Sequence, residues 1–227
     1  MASVPSPPLT SAVVMNPPPG VSDAFWRLVV SEPLDGLTVL DVGTGSGRLA
    51  LALAPRCRLV VGIDRAPESL AEARRRASAA RLANVGFVLA DAEAAEYDAW
   101  APDLVVAHLC MSDAIVTRAG RVLAPGRVLA FVAFHTDQWR ETGRPSRFAY
   151  DEDRARAVLT RAGFGVEHLE VECRVTTFGS VEAALAAVVS LEERWKVDGR
   201  WFHYVHFLEE GGRTLTRSHL VVKARRV

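Results

Sequence analysis

The chain has 227 residues, of which 49% are hydrophobic and 24% charged, a composition that supports one substantial core in a single domain. Its 27 basic and 27 acidic side chains cancel, so the totals give no single-sign field and nucleic acid is not an expected partner. Three widely spaced cysteines, Cys57, Cys110 and Cys173, form neither a disulfide framework nor a metal set; with no apolar run near the roughly 18 residues of a membrane span and no secretory leader, a cytoplasmic, non-membrane setting is expected.

Residues 1–20 hold six of the twelve prolines. Proline withholds a backbone donor and favours extended chain, so this stretch reads as a tail or lid and residues 21–227 as the folded domain. Ser22 offers an N-cap oxygen to a helix with Asp23 in its first turn and Phe25, Trp26, Leu28 and Val29 along its apolar stripe. Strands and helices then alternate: strand 38–42, helix 47–54, strand 58–63, helix 67–82, strands 86–90 and 103–108, helix 112–122 and strand 127–134. Strands apolar on both faces (LVVGI, LVVAH, VLAFVAF) with helices between them predict a parallel sheet covered on each side. In the last third, a helix over 151–162 stops at Gly163, and VEHLEVECRV alternates as a strand. A further helix starts at Ser180 and carries Val181, Leu185, Val188, Leu191 and Trp195 at helical spacing. The spacing of Trp201, Val205 and Leu208, stopped by Gly211 and Gly212, predicts a helix over 198–210, and LTRSHLVVKARR closes the chain as a strand.

The chemistry concentrates in VLDVGTGSGRL, Val39–Leu49, where Gly43, Gly45 and Gly47 follow the acid Asp41. A dinucleotide loop wants its last glycine where Arg48 stands, and a Walker loop wants a glycine-lysine pair that this run lacks. Asp64 ends the strand VVGID, 21 residues beyond Gly43, where a carboxylate can accept both hydroxyls of a ribose. Taken alone, that position suits a nicotinamide cofactor equally well.

The D-x-G-x-G-x-G pattern resembles motif I of the class I methyltransferases that use S-adenosylmethionine (SAM), and four more elements follow in that family's order. These are VVGID ending at Asp64, FVLADAE, DLVVAH over Asp103–His108, and RVLAPGRVLAF. The resemblance implies an α/β fold: a doubly wound, seven-stranded, mostly parallel sheet with an antiparallel seventh strand, helices on both faces, and a helical insertion before the last strand. It implies SAM as cofactor, its methionine and ribose lying against the bare backbone of Gly43, Gly45 and Gly47 with Thr44 between. Asp64 would hold the ribose and Asp91 the adenine amine, while the Ala92 amide meets a ring nitrogen; Asp41, Arg65 and His108 complete the expected cofactor contacts.

A small-molecule methyl acceptor is the expected partner, taken by in-line displacement. The family's motifs report the cofactor and hardly constrain the acceptor, so three alternatives stay open: a SAM-binding regulator without turnover, and an enzyme acting on RNA or on protein. An acceptor hydroxyl or ammonium must lose a proton, and His108 and His135, at the ends of the fourth and fifth strands, are the candidate bases. A strand-end histidine equally serves as a hydrogen-bonded wall. The insertion over 179–212, with Trp195, Trp201, Phe202 and Tyr204, reads either as an aromatic cap over the acceptor or as an accessory helix pair burying its own rings.

Overall fold

The computed structural model describes residues 16–227; the greater part of the expected tail lies outside the described residues. Helix α1 (Asp23–Val30) starts where predicted, with the Ser22 hydroxyl accepting the Phe25 N–H, and buries Phe25, Trp26 and Val29. Five parallel strands follow, with a helix after the first, second and fourth: β1 (Thr38–Val42), α2 (Arg48–Leu53), β2 (Leu59–Asp64), α3 (Pro67–Ala79), β3 (Val85–Leu89), β4 (Leu104–His108), α4 (Asp113–Val122) and β5 (Val128–Phe134). The chain then runs through α5 (Glu152–Arg161) and β6 (Phe164–Thr177), crosses α6 (Val181–Ala186), α7 (Glu192–Asp198) and α8 (Arg200–Glu209), and ends in β7 (Thr214–Arg226).

The seven strands form one sheet in the order β3-β2-β1-β4-β5-β7-β6. β7 lies antiparallel to both its neighbours, with Phe134 opposite His219 and Glu172 opposite the same residue on the other side. The fold expected from the resemblance is therefore the fold observed. Because side chains alternate across a strand, Leu40 and Val42 join the core under α4 and α5, while Val39 joins the core under α1, α2 and α3. Edge strand β6 carries Glu167, His168, Glu170, Glu172 and Arg174 along its length and bulges between Val166 and His168, which discourages pairing with another chain.

Two expectations need adjustment. The single helix predicted from Ser180 to Trp195 is two helices, α6 and α7, joined by a 3-10 turn at Val189–Leu191. Val188 leaves helical geometry at φ −121°, ψ 6°, where two adjacent β-branched residues make the helix weakest, and the resulting bend folds Trp195 inward. The strand predicted as VEHLEVECRV extends at both ends to fourteen residues, because β7 offers backbone partners along that whole length. The helix over 198–210 is present as α8, set off from α7 by Gly199 at φ 84°. The insertion has its own small core of Trp139, Ala184, Val188, Trp195, Tyr204 and Leu208.

Candidate active site

β1 and β4 point the same way, and the helices after them leave on opposite sides, which opens a crevice beyond the carboxyl ends of the strands. The turn out of β1 exists because three of its residues take left-handed backbone: Gly43 at φ 69°, Gly45 at φ 54° and Gly47 at φ 78°, a region other residues enter only at a cost. Gly43 is also crowded, since a Cβ there would lie 2.4 Å from both Cβ and Sγ of Cys110. Around Gly45 nothing lies within 4 Å of such an atom. The loop is tied down from below by the Ile63 carbonyl, which accepts the N–H groups of Gly43 (2.9 Å) and Thr44 (3.0 Å).

The acids around this turn do different jobs. Asp41 is buried, and its Oδ2 accepts the Thr44 hydroxyl at 2.7 Å and the Ala50 N–H at 3.2 Å. Gly47 has no side chain to cap α2, so Asp41 does so from the preceding strand and braces the loop from inside. Burial outweighs these two hydrogen bonds and pushes its carboxyl up to about 6, with the Asp64 charge adding to the rise. Asp64, at the end of β2, accepts the Gly45 N–H at 2.8 Å on Oδ2 and the Ala66 N–H at 2.9 Å on Oδ1. Each carboxylate oxygen keeps a second lone pair. Asp91 is exposed; its Oδ1 receives the Glu93 N–H, and the Ala92 carbonyl accepts the Tyr97 hydroxyl.

A cavity of about 340 Å³ runs along this edge. Gly43, Asp64, Arg65, Asp91 and Ala92 line one end of it, and His108 belongs to the same wall. Met111 and Ile115 after β4, Phe134 at the end of β5, Phe148 in the loop before α5, and Arg194 of α7 complete the lining; Arg118, one turn on from Ile115, donates to the Glu93 and Ala95 carbonyls, which keeps α4 beside the Asp91 segment. Asp41, Thr44, Gly45, Gly47 and His135 are not among the residues that line the cavity. Leu109 turns the chain into the cavity at φ 60°, presenting Cys110, whose thiol burial pushes up to about 11.

The two histidines differ. His108 is depressed to about 4, first by burial and then by the charges of Arg48 and His219, so it is neutral near pH 7 and a weak proton acceptor. Its ring sits 5.9 Å from that of Phe25. His135 is buried, and its Nδ1 accepts the Asp137 N–H (3.2 Å) with the Ser218 hydroxyl 3.0 Å away. That leaves the proton on Nε2, which faces Glu152 Oε2 at 3.4 Å. The nitrogen that a base would use is occupied, and the residue pins the β5 end to β7. Gln138 does the same, its Oε1 accepting the Ser218 N–H at 2.6 Å.

The insertion contributes differently from its aromatic content. Trp195 and Tyr204 are fully buried, Trp195 meeting Trp139 edge-on at 5.1 Å and Tyr204 at 5.8 Å, so these rings hold the insertion together and do not roof the cavity. Phe134, Phe148 and Arg194, which line the cavity, and His219, whose charge acts on His108, are features that sequence reasoning missed. Phe148 sits in the polar stretch RPSRF with no period around it, and His219 gains meaning only once β7 pairs with β5. Among the described residues no helix is long and apolar enough to cross a membrane, and no group of three His, Cys, Asp or Glu side chains is arranged to hold a metal ion.

A family profile described as a methyltransferase domain matches residues 33–202. The aklanonic acid methyltransferase DauC of Streptomyces sp. (strain C5) is 34% identical over 116 residues, covering 47% of this chain and 53% of that protein. The ubiquinone biosynthesis O-methyltransferase of Leptothrix cholodnii is 38% identical over 107 residues, covering 44% and 46% respectively. Thus the matched region spans about half the length of these curated relatives. Among solved structures, the YcgJ protein of Bacillus subtilis superposes with a TM-score of 0.70 over 89% of this chain and 97% of its own, at 15% identity, a likeness of fold. The chain belongs to the class I S-adenosylmethionine-dependent methyltransferase family.

Proposed function

We propose that the protein transfers the methyl group of SAM to a small organic acceptor. The observation that carries this reading is the single cavity with two unlike ends. At one end, bare backbone at Gly43, a ribose-facing carboxylate at Asp64 and the Asp91–Ala92 pair suit a nucleoside. The Ala92 N–H makes no hydrogen bond among the described residues and is available to an adenine nitrogen. At the other end, Phe134 and Phe148 suit a planar or apolar acceptor. The names of the two curated relatives, one acting on aklanonic acid and one in ubiquinone biosynthesis, support an acceptor of that kind.

Transfer from a sulfonium is an in-line displacement, so holding the acceptor atom in line with the methyl carbon supplies much of the acceleration. The displacement needs no covalent enzyme intermediate. When bound, SAM supplies the activated methyl; the protein's residues orient and desolvate. His108, neutral at physiological pH, accepts a hydrogen bond from an acceptor hydroxyl and orients it. With a conjugate acid near 4 it removes a proton poorly, so transfer suits an acceptor that ionises readily.

Calorimetric titration with SAM and S-adenosylhomocysteine, with Asp64→Ala as control, tests the cofactor half of this reading. Binding lost or weakened at least tenfold in the variant is expected. Release of S-adenosylhomocysteine with a panel of small phenols, acids and enols tests the acceptor half. Tight cofactor binding with no turnover on any small acceptor would favour a regulator instead.

A further inference from the structure

The cap offers the cavity a cation. Burying Trp195 against Trp139 and Tyr204 fixes the rotation of α7, and Arg194, about 100° around a helix from its neighbour, is thereby turned to the cavity wall. The acids beside it on the same helix are taken: Lys196 Nζ lies 2.7 Å from Glu192 and 3.0 Å from Glu193. Among the described residues Arg194 makes no ion pair or hydrogen bond, and its side chain is exposed. An arginine fork is the side chain best matched to a planar carboxylate, which it grips through two parallel N–H bonds.

The surroundings agree on the shape and charge of the guest. Phe134 and Phe148 give Arg194's end of the cavity its aromatic faces, and the guanidinium of Arg147 stacks 4.3 Å above the Phe148 ring, adding positive potential. The acids that line the cavity, Asp64, Asp91 and Glu93, all follow β2 or β3, at the nucleoside end. Charge is thus divided along the crevice: acids where a sulfonium nucleoside would lie, a bare arginine where the acceptor would lie. Arg65, beside Asp64, is the exception at the nucleoside end.

We infer that the methyl acceptor is a planar, ring-bearing carboxylic acid whose carboxylate is read by Arg194 while its rings lie against Phe134 and Phe148. This rests on the methyltransferase reading and goes beyond it in naming the acceptor's charge. The Arg194 contact is a binding and orienting one; the carboxylate held there is the handle, and the atom that takes the methyl lies elsewhere on the acceptor, toward His108.

The test uses the full chain saturated with S-adenosylhomocysteine and titrated calorimetrically with benzoate, 2-naphthoate and anthracene-2-carboxylate, each beside its uncharged carboxamide. At least one acid is expected to bind about tenfold or more tightly than its amide. Arg194→Gln is expected to erase that preference while keeping affinity for S-adenosylhomocysteine within about twofold, and Arg194→Lys to restore only part of it. Acids binding no better than amides, no binding of either, or a preference that survives Arg194→Gln would each overturn the inference. So would an equal loss of S-adenosylhomocysteine affinity in Arg194→Gln, which would assign the arginine to the cofactor's own carboxylate. Failure of the wild-type chain to bind S-adenosylhomocysteine at all would instead remove the methyltransferase reading, so the two failures are told apart at the first titration.

Discussion

Asp41 and His108 shift in opposite senses for the same reason, burial penalising whichever form is charged. For Asp41, raised from 3.8 to about 6, the folded state holds its proton more tightly than the unfolded chain. Its stabilising contribution is fully present below about pH 4 and is lost as pH rises through about 6. For His108, lowered from 6.5 to about 4, the contribution is present above pH 6.5 and lost as pH falls through about 4. The difference between wild type and Asp41→Asn isolates the first effect, because the amide oxygen can still accept from Thr44 and Ala50. Urea unfolding should show the variant gaining on wild type between about pH 4 and pH 7 by an amount on the order of 2–3 kcal/mol. A difference that does not change with pH would mean Asp41 is not the buried brace described. The glycines separate in the same way. Gly45→Ala meets only left-handed backbone and should cost about 1–2 kcal/mol. Gly43→Ala must also displace Cys110 from 2.4 Å, so it should lower the melting temperature further and weaken S-adenosylhomocysteine binding more.

The cap helices are held by rings rather than by backbone pairing with the sheet. Truncating Trp195 to alanine removes the ring shared by Trp139 and Tyr204 and should cost roughly 3–5 kcal/mol. Hydrogen exchange should then speed up over α6–α8 and leave β1 and β4 protected. Uniform deprotection would show that the cap and sheet share one core. Which elements were legible follows from the same physics. β2, β4 and β5 are buried on both faces and read as unbroken apolar runs, and α1 declares itself by the serine that caps it. Their residues answer to local rules. The break at Val188 and the length of β6 answer to partners far along the chain, and no local pattern records them. The site divides likewise. Gly43 and Asp64 sit in a motif and line the cavity, whereas Phe148, in the loop before α5, and Arg194, in the insertion, reach it from segments that no motif marks. The aromatic content of the insertion left a roof of rings and a self-packed helix pair equally open; large rings find more burial among themselves than over an open crevice.

Across the whole molecule, under the proposed function the nucleoside lies over β1, β2 and β3 and the acceptor over β5 and the insertion, the order in which the lining residues follow the strands. The two ends therefore rest on different parts of the fold, the first on the main cores and the second partly on a small separate core. A ligand that touches only the first part stabilises only what unfolds with it. S-adenosylhomocysteine at about 100 times its dissociation constant should add about 2.7 kcal/mol to global stability. In hydrogen exchange that gain should appear in the glycine loop and in β1, β2 and β4, whose slowest amides open only by global unfolding. The amides of α7 and α8, which can open with the cap alone, should exchange at unchanged rates. Adding an acid that engages Arg194 should then slow α7 as well, because its binding bridges the cap to the β5 end. If S-adenosylhomocysteine by itself protects α7 as strongly as β1, the cap closes on the cofactor and the two ends of the cavity act as one; ordered binding, cofactor before acceptor, would then follow from the closure.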